Sequence, residues 1–218
     1  GQSAALRGLR TKPTMSISQY NGSAIIAMAG KGCVGIAADR RLGIRNMTKA
    51  CDFKKVFQVN DKILVGFSGL ATDLQTLEQR LRMRCNMYKL REEREISIEA
   101  FGNLVASMQY EKRFGYYFVE PVIAGLKEDG TPYLMSSDII GAQCFKDDFV
   151  VAGDTAETLF GMCESVYRPD LEAEDLFEVL SQCLLSGVDR DCLAGWGATV
   201  WIMTPEGVRE THIKGRMD

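Results

Sequence analysis

Short apolar runs separated by polar turns dominate the first part of the chain. Two runs, 24–29 and 33–38, flank the turn at 30–32, which reads Gly-Lys-Gly. Because glycine accepts positive φ and both runs have strand length, the pattern predicts a hairpin inside a buried sheet. Turn-forming tetrapeptides at 127–130 and 204–207 predict two further hairpins.

Apolar residues recur at helical spacing in four other segments. The first follows Ser68-Gly69, and the second follows Ser97, which has the chemistry of an N-cap. The third begins at Asp154, whose spacing to Glu157 predicts a capping box, and the fourth covers 176–184. The arginines interleaved in the first helix are interpreted as a solvated face and not as a binding patch.

The order of elements is strands, two helices, strands, two helices, strands. Helix pairs between antiparallel hairpins predict an α+β fold with two stacked antiparallel sheets and helices on both outer faces, not a doubly wound parallel sheet. No repeat or linker indicates a second domain. The predicted organisation is an N-terminal extension at 1–20 followed by one domain at 21–218.

Composition narrows the classes of function. The 218 residues are 46% hydrophobic and 25% charged, which is typical of a globular protein, and the net charge of -3 argues against a nucleic-acid binder. The seven cysteines form no CxxC pair, so they are expected to be small buried hydrophobes and no metal or cofactor is expected. No run of about 18 apolar residues predicts a membrane span, and the basic leader lacks the apolar core of a secretory signal.

The candidate chemistry lies at the two ends of the first hairpin. Ser23 follows Gly22, Asp39 closes the second run, and Lys55 comes shortly afterwards. A hydroxyl directly after a cleaved bond can be activated by its own α-amine, whose pKa is about 7.7 to 8.0. The spacing therefore indicates the site of an N-terminal-nucleophile hydrolase. A Ser-His-Asp triad is the weakest alternative, because the single histidine, His212, is expected on a surface strand.

Four stretches resemble the proteasome beta-subunit family. They are Gly22-Ser23, Gly35-Ile36-Ala37-Ala38-Asp39-Arg40-Arg41, Lys54-Lys55-Val56 and Phe67-Ser68-Gly69-Leu70-Ala71-Thr72-Asp73. The resemblance implies a nucleophile position at Ser23, an acid at Asp39, a lysine at Lys55 and an oxyanion-hole N–H at Gly69. Later stretches, including 110–115, 120–126 and 188–191, resemble one subunit type of that family.

The resemblance also implies an architecture and a set of partners. The fold would be the four-layer αββα sandwich, and the partners would be alpha and beta subunits in stacked seven-membered rings around unfolded polypeptide substrates. The chain would act in ubiquitin- and ATP-linked protein degradation in the cytoplasm and nucleus, without contact to nucleic acid or membrane.

Three departures from the pattern of the active members predict a silent site. Asp191 matches a family aspartate, but the serine expected three residues later is Ala194. A second expected serine is missing from the turn that contains Gly153 and Asp154, and Ser23 replaces threonine. The Gly22–Ser23 bond is expected to stay uncut, so that no α-amine would be available as a base.

The expected function is therefore that of a non-catalytic subunit that serves ring assembly, chamber enclosure and the shape of a neighbour's substrate pocket. Asp39, Lys55 and Asp191 would then remain as a satisfied polar cluster. The alternatives are an active serine-type peptidase that uses Ser23, and a free-standing scaffold that shares the fold.

Overall fold

The computed structural model describes residues 17–217. Most of the predicted extension at 1–20 lies outside the described residues, and the boundary at 20/21 stays a prediction. A short 3-10 turn covers Ile17–Gln19. The strands and helices that follow are β1 (Ala24–Ala29), β2 (Val34–Asp39), β3 (Leu42–Ile44), β4 (Met47–Ala50), β5 (Val56–Asn60), β6 (Ile63–Gly69), α1 (Ala71–Glu92), α2 (Ile98–Tyr110), β7 (Val119–Leu126), β8 (Pro132–Ser137), β9 (Gln143–Lys146), β10 (Phe149–Gly153), α3 (Ala156–Val166), α4 (Ala173–Val188), β11 (Ala198–Thr204) and β12 (Gly207–Ile213).

Two antiparallel five-stranded sheets form the centre of the fold. The first has the order β10-β1-β2-β11-β12, and the second has the order β5-β6-β7-β8-β9. The small hairpin of β3 and β4 forms a separate two-stranded sheet. The three hairpins predicted from turn chemistry are present as β1–β2, β7–β8 and β11–β12.

Three hydrophobic clusters separate four layers. One cluster lies between the two sheets and includes Ile25, Ile36 and Trp201. A second joins α3 and α4 to the outer face of the first sheet, and a third joins α1 and α2 to the outer face of the second sheet. The predicted α+β four-layer αββα sandwich is therefore confirmed.

Several local predictions need correction. The strands β3, β4, β5 and β9 are absent from the sequence prediction, because they are short and only partly buried, so that none of them forms a strand-length apolar run. The capping box at Asp154 is wrong: α3 begins after Thr155, and the Asp154 carboxylate accepts the main-chain N–H of Ser23 instead. Ser97 does cap α2, accepting the N–H of Ala100.

The prediction that the cysteines are small buried hydrophobes holds for only some of them. Cys33, Cys163 and Cys183 are buried, as expected, and all seven are free thiols. The prediction is wrong for three others, which lie at exposed positions: Cys51, Cys144 and Cys192. Composition and spacing could not separate the two groups, because exposure of a cysteine depends on the tertiary packing around it.

Candidate functional site

The first hairpin brings the start of β1 next to the end of β2. In its antiparallel register Ile25 pairs with Ala38, so Ser23 and Asp39 lie at the same end of the sheet. The main-chain N–H of Ala24 donates to Oδ1 of Asp39 at 2.9 Å. The sequence therefore places the candidate nucleophile beside the candidate acid through local pairing alone.

The Asp39 carboxylate accepts four hydrogen bonds. Its Oδ1 also accepts the Lys55 ammonium at 2.6 Å, and its Oδ2 accepts the main-chain N–H groups of Arg41 and Gly195 at 3.3 and 3.2 Å. The carboxylate is 1% exposed and Lys55 is 4% exposed. A buried ion pair is stable only when its remaining hydrogen-bonding positions are largely satisfied, and here three main-chain N–H groups donate to the Asp39 carboxylate in addition to Lys55.

Lys55 is committed to groups other than the serine hydroxyl. Its second acceptor is the carbonyl of Gly22, 3.1 Å from Nζ. In a protonated ammonium there is no lone pair to accept a proton. Lys55 therefore joins the polypeptide just ahead of Ser23 to the acid at the end of β2.

The Ser23 hydroxyl lies among groups of the second sheet. Its Oγ lies 2.7 Å from Oγ of Ser68 and accepts the N–H of Gly69 at 3.2 Å. Ser23 and Ser68 are each 2% exposed. The N–H that the resemblance assigns to an oxyanion hole is thus bonded to the hydroxyl itself, and the structure does bring Ser23, Asp39, Lys55 and Gly69 together.

Asp154 faces the main-chain nitrogen of Ser23. Its Oδ2 accepts that N–H at 3.1 Å, and its own N–H donates to the Ser23 carbonyl at 3.0 Å. Burial raises the pKa of Asp154 to about 6, with Asp191 and Glu120 adding to the rise, while the Ser23 hydrogen bond and Lys55 act in the opposite direction. A carboxylate therefore occupies the position beside the nitrogen where the family resemblance leads one to expect a serine.

Asp191 is used locally. Its Oδ2 accepts the N–H of Ala194 at 2.9 Å, which fixes the loop that follows α4. Ala194 is 5% exposed and belongs to the hydrophobic cluster under α3 and α4. The position where the family resemblance leads one to expect a serine hydroxyl is thus part of the apolar core.

The chain's own residues 20–22 pair with the segment after β2. The N–H of Arg45 donates to the Tyr20 carbonyl at 2.8 Å, and the Asn21 side chain donates to the Gly43 carbonyl at 2.8 Å. The Asn21 amide oxygen accepts the N–H of Ala71 at 2.9 Å. This segment, 20–22, is called the strap below, and its hydrogen bonds join the residues just ahead of Ser23 to residues 43–45 and to the start of α1.

Arg41 binds the strap through a buried guanidinium. Its guanidinium donates to the carbonyls of Leu193, Arg45 and Asn21 and to the hydroxyl of Thr48, at 2.7, 2.9, 3.4 and 3.0 Å. The side chain is 1% exposed and is among the largest fully buried ones. One residue therefore connects the strap, the β3–β4 hairpin and the loop before β11.

Sequence reasoning did not assign roles to Ser68, Arg41, Asn21 or Asp154 at this site. Ser68 and Arg41 could be found from the sequence, because they lie inside the family-like stretches around Gly69 and Asp39. The other two have no local signal, because their partners are more than 20 residues away. His212, the single histidine, lies in β12 and contacts the hydroxyl of Thr199 at 3.1 Å.

Residues 17–217 contain neither a metal-binding cluster nor a membrane-spanning helix. Within this range no group of three or more His, Cys, Asp or Glu side chains could hold a metal ion. In the same part of the chain no helix has both the length and the apolar character needed to cross a membrane.

Comparison with known proteins identifies the relatives of this chain. A family model described as "Proteasome subunit" matches residues 19–203. The chain is 56% identical over 204 residues to proteasome subunit beta type-3 of Picea mariana and of Oryza sativa subsp. japonica, and 47% identical over 205 residues to that of Drosophila melanogaster. Each alignment covers 94% of this chain and all of the relative. The resemblance seen in the sequence, including its subunit type, is confirmed.

Proposed function

The chain belongs to the proteasome subunit family, among the beta type-3 subunits, and we propose that it serves the core particle as a non-catalytic structural subunit. Membership in this family implies assembly with other proteasome subunits. The proposal extends this to stacked seven-membered rings in which the chain closes the chamber and shapes the substrate pocket of an active neighbour. It also includes a location in the cytoplasm and nucleus, which imaging of a tagged chain would test.

The set of partners around Ser23 carries the proposal. The hydroxyl contacts another hydroxyl, Ser68, and a main-chain donor, Gly69, neither of which is a base. The N–H that would stabilise an oxyanion is already paired in this arrangement. A nucleophile with no base and no free oxyanion donor gains little of the usual catalytic acceleration.

Asp154 supports the proposal by its charge. If the Gly22–Ser23 bond were cut, the new amine would lie beside this carboxylate, 3.1 Å from the present nitrogen. A neighbouring negative charge favours the protonated ammonium, which cannot accept the proton of the hydroxyl. Ala194 removes a further hydroxyl that active members place near this amine.

The strap supports the proposal by its position. Tyr20 and Asn21 use main-chain and side-chain hydrogen bonds to pair with Gly43 and Arg45, at the edge beside Ser23. An extended substrate that bound at this edge would need the main-chain groups of Gly43 and Arg45, which the strap already occupies. The alternative, an active serine peptidase, requires both cleavage at Ser23 and removal of this strap.

The decisive experiment is the intact mass of this subunit in the purified particle, before and after an electrophilic probe for N-terminal hydroxyl nucleophiles. We expect a mass that retains residues ahead of Ser23 and does not change with the probe. Active beta subunits of the same particle provide the positive control for labelling. A subunit that begins at Ser23 and gains the mass of the probe would overturn the proposal.

A variant adds an independent test. Ser23→Ala removes the hydroxyl and its contacts to Ser68 and Gly69, and it should leave every peptidase activity of the assembled particle unchanged. The loss of one specific activity from a fully assembled particle would favour the serine peptidase. A wild-type chain that is a soluble, stable monomer and enters no particle would instead favour a free-standing scaffold.

A further inference from the structure

An aromatic tip, residues 110–116, projects from the loop that joins α2 to β7. The side chains of Tyr110, Phe114 and Tyr116 are 64%, 99% and 37% exposed. Large aromatic side chains bury more apolar area than other residues when they are covered, and they are enriched at the centres of protein interfaces. Three of them within seven residues make this tip the most concentrated exposed aromatic group in residues 17–217.

The base of the tip is fixed on both sides. Gln109 is fully buried, and its amide donates to the carbonyls of Val119 and Asp138 at 3.1 and 2.9 Å. On the other side the N–H of Phe118 donates to the carboxylate of Asp73 in α1 at 3.0 Å. The tip is thus anchored to a helix, a strand and a turn.

Main-chain hydrogen bonds also order the tip itself. Arg113 donates to the Tyr110 carbonyl and Gly115 donates to the Lys112 carbonyl, each at 3.0 Å. A loop that is already folded loses little conformational freedom when a partner binds it. The backbone that carries the exposed aromatic rings is therefore already ordered before a partner binds.

Charge on the tip defines the chemistry of a partner. Lys112 and Arg113 are both exposed, and the Arg113 guanidinium lies 5.7 Å from the centre of the Phe114 ring. Within 110–116 a single acid, Glu111, opposes these two cations. A surface that covers the ring must also accommodate positive charge at its edge, so carboxylates are required there.

We propose that the aromatic tip docks into another subunit of the particle, which offers an apolar socket for Phe114 and carboxylates for Lys112 and Arg113. This inference rests on the proposed function, since it needs a particle with other subunits. Two points indicate this partner. Membership in the family implies assembly with other proteasome subunits, and the charge beside the ring is positive.

Substitution of the ring tests the docking directly. Tagged Phe114→Ser expressed beside the untagged chain should be recovered in assembled particles about tenfold less than tagged wild type, as for a central interface anchor. Because the side chain is 99% exposed, its loss leaves the fold intact, and the circular dichroism spectrum should not change. Leu90→Ser, at an 81% exposed position of α1, is the matched control and should enter particles normally.

A photo-crosslinking amino acid at position 114 identifies the subunit into which the tip docks. The expected product is one crosslink to a different subunit, at an apolar residue with Asp or Glu beside it. Equal recovery of Phe114→Ser and wild type, or a crosslink to a second copy of this chain, would overturn the inference while leaving the proposed function intact. Failure of the tagged wild type to enter any particle would instead overturn the proposed function.

Discussion

The ammonium of Lys55 lies 2.6 Å from Oδ1 of Asp39, and both side chains are almost completely buried. The pair joins the end of β2 to the segment before β5, and Lys55 also holds the Gly22 carbonyl. The family resemblance implies that these positions serve catalysis in active members. The same contacts also give the pair a structural function that persists without chemistry.

Lys55→Met should therefore destabilise the fold, because it leaves the Asp39 carboxylate buried without its cation. Breaking a buried pair in this way costs about 3 to 5 kcal/mol. Urea unfolding of the refolded chain at low concentration, followed by tryptophan fluorescence, measures the free energy of unfolding. Peptidase activities of particles that do assemble should be unchanged.

Lys54→Met is the control for this prediction. The neighbouring lysine is exposed and lies 4.8 Å from the centre of the Trp201 ring. Its loss removes a cation–π contact of about 0.5 to 1 kcal/mol and leaves no unpaired buried charge. Equal losses for the two variants would contradict a special role for the ion pair.

Arg41→Lys should be almost as damaging as Arg41→Met. The guanidinium serves four acceptors in different directions, and a single ammonium cannot reproduce that geometry. We expect each substitution to lower the free energy of unfolding by about 3 kcal/mol, since buried carbonyls lose their donors. Arg84→Met, on the exposed face of α1, should change the free energy of unfolding little. Wild-type stability in Arg41→Lys would show that the four hydrogen bonds of the guanidinium are not needed.

The sequence predicts the layers of this fold better than its edges. Runs such as 24–29 are fully buried and apolar, so they can be recognised as strands from the sequence alone. The strand β4 has alternating exposed and half-buried positions in only four residues, and β9 is mostly exposed. Such edge strands are defined by pairing with a neighbour, which a single sequence does not reveal.

For the site, sequence identifies residue types more reliably than it identifies their partners. Ser23, Asp39 and Lys55 each lie in a family-like stretch, and β1–β2 pairing brings the first two together. The contact between Ser23 and Asp154 spans 131 positions and depends on β10 pairing with β1. The wrong capping box at Asp154 arose because a local pattern was read where a long-range hydrogen bond is formed.

Gly22→Ala tests the geometry of the strap. Gly22 has φ +75°, and a Cβ there would lie 2.0 Å from the main-chain carbonyl oxygen of Leu193. Because the contacting oxygen belongs to the main chain of Leu193, rotation of a side chain cannot relieve this contact. The substitution should cost at least about 2 kcal/mol beyond the left-handed penalty of about 1 to 2 kcal/mol.

Gly32→Ala is its matched control. This glycine also has a left-handed φ, +63°, but a Cβ would have no neighbour within 4 Å. It should therefore show the left-handed penalty alone. Hydrogen exchange at the N–H of Arg45, which donates to Tyr20, should accelerate in Gly22→Ala only; unchanged exchange there would mean that the strap does not depend on Gly22.

Asp154→Asn tests the electrostatics beside Ser23. The pKa of Asp154 is raised to about 6, mainly by burial, whereas an unfolded aspartate titrates near pH 3.9. The folded state therefore binds an extra proton between these values, and this contribution to stability is lost as the pH rises through 6. Asparagine keeps an acceptor for the Ser23 N–H without the charge, so the variant should be more stable than wild type by about 1 to 2 kcal/mol above pH 7.

The difference between the two proteins should shrink towards zero near pH 4, where aspartate is protonated in the folded state. Urea unfolding at several pH values between 4 and 8 measures it. Asp129→Asn provides a control of opposite sign, because hydrogen bonds from Thr131 lower the pKa of Asp129. That variant should be slightly less stable than wild type across this whole range, because a carboxyl with a lowered pKa loses its stabilising contribution only when the pH falls below about 4. A stability gain in Asp154→Asn that is the same at pH 4 and pH 8 would show that the buried charge is not its cause.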